Sequence, residues 1–348
     1  MNSILKISLI PVLNLRQGPL FKKLCAKNVT YNKLIFLLLI CFLLSCKKEL
    51  KQYQSSIFEK DNFVERNLTL ELINSVKIED EMHVSSFFTT KEYDVFLFDL
   101  TSGKIVKFNY GGKKISDTGG FGRGPNEYFP DSFVQLTYCG GDEFYSNDWN
   151  LPRFHVYDLD LEVKKIVNLN ATPYDITCVN NNKLAVLYSN VPRIDIIKNN
   201  GNIEKSIRLD SFLDHNMTKE SIFKHFIYTE QQYFFAYYFK PLFVIYDTFN
   251  QSLNKTLLSK TLPESVTTAS RNLMVKENEL HLFYFNMNQT EDKNFSKVTH
   301  VFDKKFGEYC YSYNLADRIK NYMFISTNKM ITIEDSLRIG FYNYYFDE

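Results

Sequence analysis

The sequence predicts an all-β fold: a six-bladed β-propeller of four-stranded antiparallel blades, with the ring closed by an N-terminal strand. Three observations carry this prediction. Short runs with alternating or aromatic-rich pattern are separated by Gly, Asn, Asp and Pro turns about every eight to twelve residues, the pattern of antiparallel strands. Those strands group in fours, in units of about 40 to 55 residues, the period expected of propeller blades. The last unit is one strand short, whereas the apolar segment 68–78 (LTLELINSVKI) has no unit of its own.

The first unit is predicted at 84–88, 93–100, 104–110 and 113–116, and the second at 132–138, 142–146, 153–158 and 161–168. An echo links them. Phe98-Asp99 precedes one turn as Asn147-Asp148 precedes the other, and Ile105-Val106-Lys107-Phe108 matches Phe154-His155-Val156-Tyr157. The third unit is read at 173–179, 183–189, 193–198 and 203–209, and the fourth, after a polar stretch at 210–220, at 224–229, 232–238, 242–247 and 253–259. The fifth uses 272–275, 279–286, 297–303 and 308–313, with a long hairpin loop at 287–296. Residues 315–322 carry the one helical spacing in the chain. Strands at 323–327, 330–333 and 338–346 follow, and segment 68–78 supplies the missing fourth strand of this sixth blade.

Ahead of the propeller, 34–44 (LIFLLLICFLL) is an unbroken apolar run preceded by Lys22, Lys23, Lys27 and Lys33 and followed by Ser45-Cys46. It is short for a membrane span and has the layout of a signal peptide. Leu43-Leu44-Ser45-Cys46 resembles the lipobox of bacterial lipoproteins, which makes Cys46 the lipidated first residue of the mature chain. The expected organisation is a lipoprotein signal peptide at 1–45, a flexible tether at 46–62 and the propeller at 63–348. The leader holds six of the 41 basic residues and no acidic one, so 35 basic residues face 40 acidic ones in the mature chain. That balance gives no basic footprint for nucleic acid. No acidic surface-export signal follows Cys46, which tips the expected location toward the periplasmic face of the envelope.

Cys139, Cys178 and Cys310 remain in the folded part, too widely spaced for a zinc site, and are read as buried small hydrophobes rather than a disulfide framework. The aromatic stretches 233–239 and 341–346 are read as core, because blades packed face to face bury both sides of a strand. Asp158-Leu159-Asp160-Leu161-Glu162 lacks the glycine of a helix-loop-helix calcium site and is read as a hairpin turn.

The densest motif is Gly119-Gly120-Phe121-Gly122-Arg123-Gly124-Pro125-Asn126-Glu127-Tyr128, between the first two units. Its glycines and proline call for a sharply turning backbone, and an Arg123–Glu127 ion pair is one way to close it. Gly122 to Tyr128 resembles the G-R-G-P-G-E-Y element between the first and second blades of six-bladed β-propeller lipoproteins of Bacteroidetes, relatives in shape of NHL-repeat propellers; Asn126 replaces a glycine. The resemblance implies the fold and the envelope location and brings no defined activity.

Propeller topology puts the blade-to-blade connections and the turns between second and third strands on one face. Asp99, Asp148, Asn190 and Asp335 fall at or near those turns. Arg123, Glu127, Tyr128, Asp148, Trp149 and Arg153 are therefore the candidate binding residues, against the plainer alternative that Asp148 caps its turn and Arg123 pairs locally. His83, His155, His215, His225, His281 and His300 are scattered over different units, with no metal-ligand spacing. No nucleophile elbow, zinc-protease motif or phosphate loop occurs. The expected function is a non-catalytic binding module for a protein, peptide or glycan, without cofactor; the alternative is a calcium-dependent hydrolase or lyase using the channel.

Overall fold

A computed structural model describes residues 51–56, 64–78, 82–130, 132–180, 183–188, 193–198, 200–208, 223–228, 232–237, 242–247, 252–257, 268–286, 297–304, 307–335 and 338–347. The leader, Cys46, Asn190, His215 and the stretches 210–220 and 287–296 lie outside the described residues.

Six separate sheets form, each holding four consecutive strand positions of the ring. The first blade is β3 (Val84–Thr89), β4 (Val95–Asp99), β5 (Lys104–Phe108) and β6 (Lys114–Gly119). The second is β7 (Val134–Tyr138), β8 (Glu143–Asp148), β9 (Arg153–Asp158) and β10 (Val163–Asn168); the third is β11 (Pro173–Asn180), β12 (Lys183–Tyr188), β13 (Arg193–Lys198) and β14 (Ile203–Arg208). The fourth is β15 (Phe223–Tyr228), β16 (Gln232–Tyr237), β17 (Leu242–Asp247) and β18 (Ser252–Leu257), and the fifth is β19 (Thr268–Lys276), β20 (Glu279–Asn286), β21 (Lys297–Asp303) and β22 (Tyr309–Asn314). The sixth joins both ends of the chain: β23 (Ile319–Ser326), β24 (Lys329–Glu334) and β25 (Arg338–Phe346) are completed by β2 (Leu68–Lys77), antiparallel to β25 from Leu68↔Phe346 to Lys77↔Arg338.

The apolar runs follow from this stacking. On β4, Val95 and Leu97 join a core shared with the sixth blade through Ile331, Ile333 and Phe341, while Phe96 and Phe98 join one shared with the second blade through Phe144 and Tyr157. Alternate side chains thus enter opposite interfaces, and the strand needs no polar face. The stretches read as core behave alike: Tyr233, Phe234, Phe235 and Ala236 are buried, as are Phe341, Tyr342 and Tyr344.

Three expectations change. Residues 315–322 form a turn, with the Ile319 amide bonding the Ala316 carbonyl, and then the start of β23; no described residue is helical. A register shift between Ile319 and Asn321 brings Ile319 and Tyr322 into one core, so a bulged strand produced the helix-like spacing. Cys139 and Cys178 form a disulfide across 39 residues, because the ring sets the ends of neighbouring inner strands side by side, with Cα atoms 5.5 Å apart. Cys310 is exposed and free. Within the expected tether, Lys51–Ser56 is strand β1, which lies parallel to β18 and satisfies the outer edge of the fourth blade.

The N-terminal segment also touches the fifth blade. Val64–Arg66 bridges β22, where the Ser312 amide donates to the Val64 carbonyl (2.8 Å) and the Arg66 amide to the Ser312 carbonyl (2.9 Å). Arg66 covers the Tyr311 ring at 4.3 Å. Three consecutive blades therefore take their outermost backbone partner from residues 51–77.

Candidate binding face at the channel mouth

In the first two blades the connection into the first strand and the turn between second and third strands meet on one face, held by a repeated aspartate clasp. Asp99, buried at the end of β4, accepts the Thr101 amide (3.0 Å) and the Ser102 amide and hydroxyl (3.2 and 2.6 Å) of its own turn. It also accepts the His83 amide (2.9 Å) from the connection entering β3. Asp148, at the end of β8, repeats this with the Asn150 amide (2.7 Å) in its turn and the Phe129 amide (2.8 Å) and Ser132 hydroxyl in the connection entering β7. Burial works to raise the Asp99 pKa, yet its hydrogen bonds outweigh that and hold it below the usual aspartate value.

The glycine-rich loop wraps one of its own side chains. Glu127 Oε2 accepts the Gly124 amide at 2.6 Å, and a Cβ on Gly122 would fall inside the Glu127 carboxylate. Arg153 Nη2 donates to the Gly124 and Glu127 carbonyls (3.2 and 3.0 Å), and His155 Nε2 lies 2.8 Å from the Pro125 carbonyl. Burial lowers the His155 pKa, so the neutral ring donates from Nε2. Tyr128 is fully enclosed between the first two blades, its hydroxyl 2.6 Å from Ser146 Oγ and 3.0 Å from that of Tyr157. Burial first, and then the neighbouring Tyr157, push its pKa well above the ordinary tyrosine value.

The axis of the ring holds two cavities that share Gln135, Leu136, Asn272 and Met323 as walls. The one at the loop face, about 580 Å³, is bordered by His83, Phe133, Trp149, Lys320 and Asp335. The other, about 620 Å³, reaches toward the base past Asp175, Cys178 and Lys304. Polar side chains on the inner strands tie neighbouring blades here. Ser86 Oγ accepts the Leu136 amide (2.9 Å), and Thr137 Oγ1 donates to the Ile176 carbonyl (2.9 Å). Asn272 Nδ2 donates to the Tyr322 carbonyl (3.0 Å). Asp175 spans three blades, accepting Gln135 Nε2 (2.6 Å) from the second and the Phe226 amide (2.9 Å) from the fourth. Burial raises its pKa to about 7 against these hydrogen bonds.

Of the six candidates, Trp149 alone lines the mouth cavity; its ring stacks on Tyr174 at 4.4 Å and packs tilted against Phe133 at 4.5 Å. Tyr128 and Asp148 have no exposed surface, while Glu127 and Arg153 are engaged in holding the loop. Arg123 is exposed at the loop tip and forms no ion pair with Glu127 among the described residues. Gln135, Asn272 and Lys320 were not singled out in the sequence; the signal available was a polar residue inside the first strand of a unit. Among the described residues, no three His, Cys, Asp or Glu side chains gather in metal-ligand proximity, and no helix is long and apolar enough to cross a membrane. Asp158 accepts the Asp160 and Glu162 amides (3.0 and 2.8 Å), the hairpin turn expected there.

No family model matches the chain and no curated protein is similar to it. Solved structures share the fold. A member of the DUF4221 family from Bacteroides vulgatus superposes with a TM-score of 0.54 at 10% identity, over 81% of this chain and 99% of that one. A Bacteroides fragilis protein described as exported gives 0.51 at 10% identity, over 86% and 100%. Virginiamycin B lyase from Staphylococcus aureus gives 0.50 at 11% identity, over 79% and 99%.

Proposed function

We propose that this chain is a lipid-anchored protein of the bacterial cell envelope, related to the Bacteroidetes propeller lipoproteins, that binds a protein, peptide or glycan at the channel mouth without turning it over. The observation that carries this reading is the use made of three carboxylates, two at the ends of second strands and one on an inner strand. Asp99, Asp148 and Asp175 each give both oxygens to donors inside the fold, so their roles are those of clasps between blades. What faces the cavity is a mixed set, with Gln135 and Asn272 amides, the edge of packed aromatics and the Lys320–Asp335 pair at 2.7 Å. That set suits recognition of an uncharged or mixed polar surface. The Cys139–Cys178 disulfide supports an oxidising compartment outside the cytoplasm, in agreement with the signal-peptide pattern and Cys46. The periplasmic face is favoured by the sequence that follows Cys46.

The alternative, a calcium-dependent hydrolase or lyase, draws on the presence of a lyase among proteins of this fold. Fold alone carries little weight for activity. Affinity capture from solubilised native envelope with the full chain as bait tests the two. Arg123→Ala together with Lys320→Ala, both at exposed side chains, is expected to reduce capture strongly while leaving the melting temperature within about 2 °C. Unchanged capture would remove the mouth from consideration. A clear rise in melting temperature with added calcium would favour the alternative.

A further inference from the structure

We infer that the bilayer lies on the base side of the propeller, at the outer edge of the fourth blade, so that the channel mouth is directed away from the membrane. This rests on the lipid anchor at Cys46 proposed above and adds a direction to it.

The direction comes from strand polarity. Connections such as 120–133 enter the first strand of a blade at the mouth face, where they are clasped to the turns between second and third strands. Strict antiparallel alternation then starts every fourth strand at the base. β18 is the fourth strand of its blade and antiparallel to β17. β1 runs parallel to β18, with Lys51 opposite Ser252 and Ser56 opposite Leu257, so its first residue stands at the base end.

Cys46 precedes Lys51 by five residues in the sequence. Five residues, fully stretched, cover at most about 17 Å. A six-residue strand by itself rises about 20 Å. An acylated Cys46 therefore lacks the reach to lay the mouth loops on the bilayer, and the fourth blade's base rim is what it draws to the surface. Lys47 and Lys48, within this leash, suit anionic headgroups at that contact. A ligand of the mouth then comes from the aqueous side and not from the lipid.

The test uses the full chain, processed and lipidated, with Cys310→Ser removing the exposed thiol. A donor dye is attached through Asn278→Cys, in the turn between β19 and β20 at the base, or through Asn126→Cys in the mouth loop, both exposed positions. Each protein is reconstituted into vesicles of phosphatidylethanolamine and phosphatidylglycerol carrying an acceptor-dye lipid. Energy transfer should strongly reduce donor emission at position 278 and leave it little changed at 126. Asn150→Cys, in the turn after β8, provides a second mouth position should the loop variant fold poorly. Equal loss at base and mouth, or greater loss at the mouth, overturns the orientation. If Cys46→Ser leaves vesicle association unchanged, the anchor reading fails first and takes the orientation with it.

Discussion

At Asp175 a single carboxylate ties the inner strands of three blades, and its protonation state is set by the conflict between burial and three donated hydrogen bonds. Its native pKa of about 7 lies above the ordinary value of 3.8. Between those values the native chain keeps a proton that the unfolded chain releases, so this group's contribution to stability falls as pH rises through that window. Asp175→Asn, which mimics the protonated form, is therefore expected to gain stability relative to the unmodified chain between pH 4 and pH 7, by on the order of a few kcal/mol at most. Parallel thermal melts across that range check this; a constant difference between the two proteins would refute it. Asp99 and Asp148 were legible in the sequence because their turns are local, within three residues of the carboxylate. Asp175 was not, since its partners lie 40 and 51 residues away and meet it only once the ring forms.

Single elements show where pattern reading succeeds and where it stops. The strand-rich units were readable because each strand buries both faces, which writes nearly continuous apolar runs between turn residues. The bulge at Ile319–Asn321 defeated the same reading by placing core side chains three apart. The glycine-rich segment was legible as a turn, but its attachment to the second blade was not, because that depends on Arg153 and His155 from a later strand. The cysteines fell to the same difficulty. Their bond closes a loop across two blades, and the loop-closure relation for a separation of 39 residues gives about 4 kcal/mol of stabilisation. Chemical denaturation of Cys139→Ser/Cys178→Ser should show a loss of that order. A loss below about 1 kcal/mol would mean that inter-blade packing alone fixes this junction.

For the whole molecule, the shortfall of one strand in the last unit was the most informative count in the sequence, and β2 fills that place. The reach of the N-terminal segment over the fourth and fifth blades was not visible, since a parallel edge strand such as β1 needs no apolar pattern of its own. These contacts should differ in weight. Removing residues 51–56 exposes one sheet edge and is expected to lower stability modestly, by about 1 to 3 kcal/mol. Removing 51–77 opens the ring and is expected to abolish cooperative unfolding; a cooperative melt from that shorter chain would show that closure is dispensable. The register Leu68↔Phe346 also has a consequence for time. A chain made from its N-terminus presents β2 early, and β2 must wait for the last strand to be synthesised before it can pair. Contacts of such sequence separation form slowly, leaving sheet edges open to other chains in the interval. Completion of this ring is thus a late event in the life of the chain, which stays an open circle until β2 and β25 meet.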